Sequence, residues 1–231
     1  MFIPDSSYRV KERNPNPLHR INGISGTPMI GQDWYVTNDG WCNAGKMVSQ
    51  AEELTRPYRL YRFLTDLEDA LERLTDDQLR LQAIAPLVRQ LLNSAEWLQI
   101  FPLQPDPDTG WAVTMLYDEP FFPLTVQLVA WAPGTASPIH NHATWGVVAL
   151  LSGQEKNTFW RRSPTADLPD RIEPVGDRLL VPGDILCLMP DAIHQVEAIG
   201  DQPTISFNLY GETNYDQRLE FDPIQNRAKN F

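Results

Sequence analysis

The sequence predicts a mainly β fold, a sandwich or barrel preceded by a helical and irregular N-terminal extension, and three observations predict it. Eight short β-prone runs fill residues 113–210, with turn signals between many of them. One clean helical stripe lies upstream, over residues 60–74. Residues 1–50 carry no sustained periodicity at all.

That first stretch is rich in Pro, Asn and Gly, with isolated aromatics at Tyr8, Trp34, Tyr35 and Trp41. Disordered segments are poor in aromatics, so the reading is an irregular arm packed on the domain. Next, Leu60, Phe63, Leu64, Leu67, Ala70, Leu71 and Leu74 recur at three- and four-residue steps and form one apolar helical face. Thr65-x-x-Glu68 and Thr75-x-x-Gln78 both have the form of a capping box, the second placed to start another helix. Pro86 is expected to kink or restart that helix, and Ser94 to open a short turn near Trp97. These helices read as cover for another layer. The predicted division is 1–100 for arm and helices and 101–231 for the β domain.

Beyond the Pro/Asp cluster at 102–109 come the β-prone runs Val113–Leu116, Leu124–Trp131, Thr144–Leu151 and Asn157–Trp160, then Arg178–Val181, Ile185–Met189, His194–Ile199 and Thr204–Tyr210. Pro133-Gly134, Ser152-Gly153, Pro182-Gly183 and Gly200-Asp201 supply turns between them.

Bulk properties narrow the partners. The chain has 231 residues, 42% hydrophobic and 21% charged, as expected of a folded domain. A net charge of −11 argues against nucleic acid and against anionic membrane surfaces. There is no 18-residue apolar run and no apolar core to the N-terminus, so a cytoplasmic protein is expected. Cys42 and Cys187 form no disulfide framework and no CxxC pair.

Chemistry is carried by histidines. The chain has only four, and His140, His142 and His194 fall in the β region, whereas His19 lies in a polar stretch and reads as solvated. On a strand, residues two apart share a face, so His140 and His142 can grip one ion. His194 would have to come from a distant strand to complete the set. Neutral imidazole suits iron, nickel, copper or zinc.

The surrounding frame is more specific. Gly134, five residues, His140, one residue, His142, three residues, Gly146, six residues and Gly153 resembles the first motif of the cupin superfamily. Gly183, six residues, Pro190, three residues and His194 resembles its second, with Asp184 in the Pro-Gly-Asp turn. The resemblance implies a double-stranded β-helix, or jelly-roll barrel, for the β domain. Gly146 stands where cupins usually carry a glutamate ligand, which leaves three neutral imidazoles and open positions for a substrate atom and O2.

An all-histidine site is similar to that of the thiol dioxygenases, the cysteine dioxygenase and 3-mercaptopropionate dioxygenase family. The resemblance runs from about Leu91 to Pro223, anchored in WAPGTASPIHNHATWGVVALLSGQE and PGDILCLMPDAIHQVEAIGDQPTISFNLYGE. It implies a non-haem iron(II) enzyme, with nickel, manganese or zinc as alternatives, that uses O2 to oxidise a small thiol to a sulfinate. It further implies a Ser-x-His-x-Tyr triad, matched here by Ser206, Asn208 and Tyr210, with Asn208 replacing the titratable histidine. Gly146 also stands where animal cysteine dioxygenases carry the cysteine that cross-links to the tyrosine, so no cross-link is expected.

No arginine occurs between Arg89 and Arg161, where cysteine dioxygenases place their carboxylate-binding arginine; this speaks against L-cysteine as substrate. The mercaptopropionate branch carries such an arginine just after the tyrosine, and Arg218 lies eight residues past Tyr210. Its bland alternative is a tail residue paired with Glu220 or Asp222. Trp145, Phe159 and Trp160 are candidates for an apolar pocket wall, Trp145 foremost. Glu155 reads as a structural hydrogen-bond acceptor. Two rival functions stand beside the thiol reading: a cupin dioxygenase for a carbon substrate, and a non-catalytic metal-binding cupin.

Overall fold

The structure, a computed structural model, describes residues 29–45, 58–119 and 122–231. His19, Tyr8 and the rest of the arm before Met29 lie outside the described residues.

Two sheets make the body. One has seven strands in the order β2-β1-β9-β6-β11-β4-β3: Cys42–Ala44, Asp33–Val36, Ile185–Leu188, Gly146–Ser152, Thr204–Tyr210, Phe122–Trp131 and Trp111–Glu119. The other has six, β13-β12-β5-β10-β7-β8: Arg227–Asn230, Leu219–Asp222, Ile139–His140, Ile193–Ile199, Gln154–Arg162 and Ile172–Leu180. All eight predicted β runs are strands, most of them longer than their apolar centres. The fold is a double-stranded β-helix.

The central strands of the seven-stranded sheet are covered on both faces, which explains their sequence texture. Val126, Leu128 and Ala130 of β4, Val147, Ala149 and Leu151 of β6, and Phe207 and Leu209 of β11 face the helices. The alternate residues Val148, Leu150, Leu186 and Leu188 face the barrel interior with Phe159 and Leu180. A strand buried on both sides reads as a continuous apolar run rather than an alternating one, as the six buried residues of Gly146–Leu151 do.

Helix α1 (Leu60–Arg73) lays Phe63, Leu67 and Ala70 onto this sheet, at the predicted spacing, and Phe63 meets Phe207 edge to face at 6.1 Å. Thr65 lies within α1, its hydroxyl donating to the Tyr61 carbonyl at 3.1 Å, so the first capping box is not a helix start. Helix α2 (Asp77–Ser94) does start where expected, but its cap is Asp76 rather than Thr75: the Asp76 carboxylate accepts from the Leu79 N–H at 2.9 Å. Pro86 sits inside α2 without ending it. The buried Leu81, Ile84, Ala85, Val88 and Leu91 hold both halves to the sheet and offset the missing N–H. Short α3 (Glu96–Gln99) follows.

Five strands have no clear sequence signal. In the segment read as an irregular arm, β1 pairs in parallel with β9, Trp34 opposite Leu186 and Val36 opposite Leu188. Arg89 from α2 secures it, paired with Asp33 and donating to the carbonyls of Gly183 at 3.0 Å and Met29 at 3.2 Å. At the other end of the chain, β12 and β13 form a hairpin against β5, Glu220 lying opposite His140. That pairing braces the strand that begins the site.

Candidate metal centre

Three elements bring the histidines together. His194, on β10, is the cross-strand partner of His140, on β5. His142 does not share a strand with His140 as predicted: β5 ends at His140, and Ala143 enters the left-handed region at φ 52°. A non-glycine residue there costs about 1 kcal/mol, a local strain that turns His142 back toward the pair. The intervening Asn141 holds this turn, its amide donating to the Gln217 carbonyl at 3.1 Å and its oxygen accepting from the Leu219 N–H at 2.7 Å. Asn141 thereby ties the histidine turn to the segment bearing Arg218. Sequence reading passed over it, although a lone Asn between two candidate ligands is a signal for such a clamp.

All three imidazoles are buried, and their ligand nitrogens lie within 4.8 Å of one another. His140 Nδ1 can only donate to the Pro138 carbonyl, 2.9 Å away, so its Nε2 presents a lone pair to the centre. His194 Nδ1 meets Asn157 Oδ1 at 2.9 Å, which orients its Nε2 the same way. His142 Nε2 and His194 Nε2 are 3.0 Å apart. Two nitrogens bound at right angles to a first-row metal at about 2.1 Å would stand about 3 Å apart, so the residues fit a cation. Burial pushes His140 down to about 4, helped by the nearby Arg218 charge and opposed by its Pro138 contact. Burial likewise drives His142 and His194 well below the ordinary histidine value, with the neighbouring imidazoles adding to it. The donors are therefore neutral at physiological pH, the form that binds metal.

Beside them runs a polar row on the inward face of β11. The Tyr210 ring stacks on His142 at 4.3 Å. Its hydroxyl donates to Asn208 Oδ1 at 3.0 Å, and Asn208 Nδ2 donates to Ser206 Oγ at 2.9 Å. Burial raises the Tyr210 phenol, with Arg218 opposing. Gly146 makes this packing feasible: it lies opposite Tyr210 in the ladder, and a Cβ there would stand 2.8 Å from the Tyr210 ring. The tyrosine thus occupies the space into which a side chain at 146 would grow.

The histidines and this row line a cavity of about 470 Å3. Arg218 also lines it, its guanidinium over the Phe231 ring at 4.4 Å and its buried Nε without a partner. The tail-pairing alternative is not what forms: among the described residues Glu220 pairs with Lys229, at 3.4 Å. Trp111, Val113 and Phe231, each 40–46% exposed, mark where the cavity meets solvent.

Trp145 does not wall this cavity. It packs in the helix-side core, its Nε1 2.5 Å from where a Cβ of Gly211 would be. The cause is parity, because Trp145 shares its direction with Val147 and Ala149, which face the helices. Phe159 belongs to the interior cluster with Val148 and Leu150, and Trp160 packs against Ile139, Ile193 and Phe221. The exposed Arg161 pairs with Glu173, and Arg162 lies over Phe221.

Fold and site together define a double-stranded β-helix with a three-histidine cluster able to hold a metal. Among solved structures, the chain is similar to a cupin superfamily protein from Desulfitobacterium hafniense, with 14% identity and a TM-score of 0.37 over 50% of this chain and 86% of that one. It is similar to an uncharacterised double-stranded β-helix protein from Klebsiella pneumoniae, with 15% identity and a TM-score of 0.39 over 50% and 83%. An oxalate oxidase bound to glycolate matches at 15% identity and a TM-score of 0.35, over 50% of this chain and 61% of that protein. No protein-family model matches the sequence. Among the described residues, no helix is long and apolar enough to cross a membrane.

Proposed function

We propose that this protein is a non-haem iron(II) dioxygenase that converts a small thiol, other than L-cysteine, to its sulfinate. The observation that carries this reading is the row Tyr210, Asn208, Ser206, hydrogen-bonded in sequence and stacked through Tyr210 on one histidine of a site without a carboxylate ligand. Iron(II) held by His140, His142 and His194 would supply a cationic centre with positions open to a thiolate and to O2. Both atoms of O2 end on the substrate sulfur, so no external reductant is required.

The chain's own groups have distinct parts. The three imidazoles are neutral and leave the cation its full charge. Tyr210, kept protonated by burial, spends its one proton on Asn208 and turns its oxygen, an acceptor, to the pocket. Asn208 accepts from that hydroxyl and passes a donor on to Ser206, but an amide does not titrate. The row therefore fixes the direction of the Tyr210 hydroxyl rather than relaying a proton. Arg218 offers an unpaired guanidinium edge to a carboxylate on the substrate.

A carbon-acid substrate is favoured by one observation, the apolar side of the cavity formed by Val129, Val148 and Val196. Oxygen uptake separates the readings. Iron-loaded protein should consume O2 with 3-mercaptopropionate or a related thiol and release the sulfinate, identified by mass. Uptake with diketones or flavonols alone would select the carbon substrate, and no uptake with either a non-catalytic site.

A further inference from the structure

Glu155 is a buried acid on the cavity wall that this mechanism does not use. It is 1% exposed and lines the cavity that holds the histidines. The Thr204 hydroxyl donates to its Oε1 at 2.8 Å. Its cross-strand neighbours are Ala198 on β10 and Leu180 on β8, neither of which carries charge. Among the described residues, no lysine, arginine or histidine pairs with it. A carboxyl so placed is disfavoured unless something compensates it. Burial accordingly pushes it up to about 7, the Thr204 bond opposing.

Its position along the barrel is specific. His194 stands opposite Phe159 in the β10–β7 ladder, and Glu155 lies four residues further along β7. At about 3.3 Å per residue that is about 13 Å from the histidine level. Between the two ends Val129, Val148 and Val196 make an apolar side of the wall, and Asn208 and Ser206 of β11 a polar one. The cavity thus has a cation-binding end, a middle with one apolar and one polar side, and an acidic far end.

We infer that Glu155 recognises the protonated amine of an elongated substrate whose thiol sits at the histidines, so that the substrate class is a chain-extended aminothiol. This rests on the thiol reading above and deepens it. A metal–sulfur bond of about 2.3 Å and an ammonium–carboxylate contact of about 2.8 Å account for part of the span. A five-carbon chain covers most of the remainder, whereas a two-carbon chain falls short.

The test uses the full chain loaded with cobalt(II), under anaerobic conditions, with the cobalt–thiolate absorption band as readout. The probes are 5-aminopentane-1-thiol, pentane-1-thiol and 2-aminoethanethiol, titrated into wild type and Glu155→Gln. Gln keeps an acceptor for Thr204 and removes the charge. Wild type should bind 5-aminopentane-1-thiol at least tenfold more tightly than pentane-1-thiol, and Glu155→Gln should abolish that preference. Binding of 2-aminoethanethiol should be the same in both proteins, which also reports that the variant is folded. Equal affinity of wild type for the two five-carbon thiols, or a preference that survives in Glu155→Gln, overturns the inference and leaves the thiol site standing. A cobalt-loaded protein giving no thiolate band with any probe overturns the thiol reading, and the inference with it.

Discussion

Replacing Glu155 with Gln should stabilise the metal-free protein, by an amount that depends on pH. The carboxyl is fully buried, and its ordinary value of 4.5 is raised to about 7 by desolvation. Below pH 4.5, folded and unfolded chains both hold the proton and the group contributes no slope. Between 4.5 and 7 the unfolded chain ionises while the folded one does not, so wild-type stability falls as pH rises. Above 7 both forms are ionised and the loss stops growing. The interval between the two values corresponds to about 3 kcal/mol. Gln does not titrate, so the variant should gain on wild type steadily across that window and then hold its lead. Titration of the histidines is common to both proteins and cancels in the difference. Urea unfolding at closely spaced pH values from 4 to 8.5, with metal removed, measures it. A difference between variant and wild type that stays constant from pH 4.5 to 7 would refute the reasoning, because burial would then not be holding the proton on Glu155.

Other outcomes follow from the same geometry. His194→Ala should reduce bound metal to less than about a tenth of wild type, measured by elemental analysis after expression in iron-supplemented medium, since a three-donor site loses a third of its grip and Asn157 loses its partner. Tyr210→Phe should retain the metal but lower thiol-dependent O2 consumption about a hundredfold, the usual effect of removing one positioned polar group beside the reacting atoms; unchanged turnover would remove the hydroxyl from the mechanism. Gly146→Ala should destabilise the fold by about 1–3 kcal/mol, because its Cβ stands 2.8 and 2.9 Å from two Tyr210 ring carbons. An unaltered thermal midpoint would show that the ring yields freely.

Much of the body was legible because the central strands of the seven-stranded sheet are covered on both faces. Gly146–Ser152 therefore carries a dense apolar run, and Thr204–Tyr210 alternates apolar Ile205, Phe207 and Leu209 with its polar row, both bounded by turn residues. The histidine cluster was legible through spacing, since the glycine frame places the chain reversals around it. What escaped was written elsewhere. Strand β5 has two residues, too few to show any period. Strands β12 and β13, LEFD and RAKN, have four residues each and mix charged with apolar side chains, too few for a period to show, and they pair as a hairpin laid against β5 with Phe221 as the buried anchor. The β1 sequence DWYV is ordered by the distant β9 and by Arg89, neither visible locally. Trp145 was assigned to the wrong side because its large ring outweighed its parity, although the alternation of β6 contains the answer. Glu155 was rightly read as an acceptor, but its place on the cavity wall depends on where β7 stands relative to the histidines.

The parallel pairing of β1 with β9 has a consequence for how the chain reaches this state. Gln32 and Asp184, bonded at 2.8 Å, are 152 positions apart. Strand β1, the earliest among the described residues, must therefore wait for most of the polypeptide before it gains its lasting neighbour. Until then its short hairpin with β2 is a marginal structure, and once β9 emerges, that strand's outer rim stays open to any competing segment. Docking of the early strand closes the rim and completes assembly late, at a step governed by long-range encounter rather than local preference.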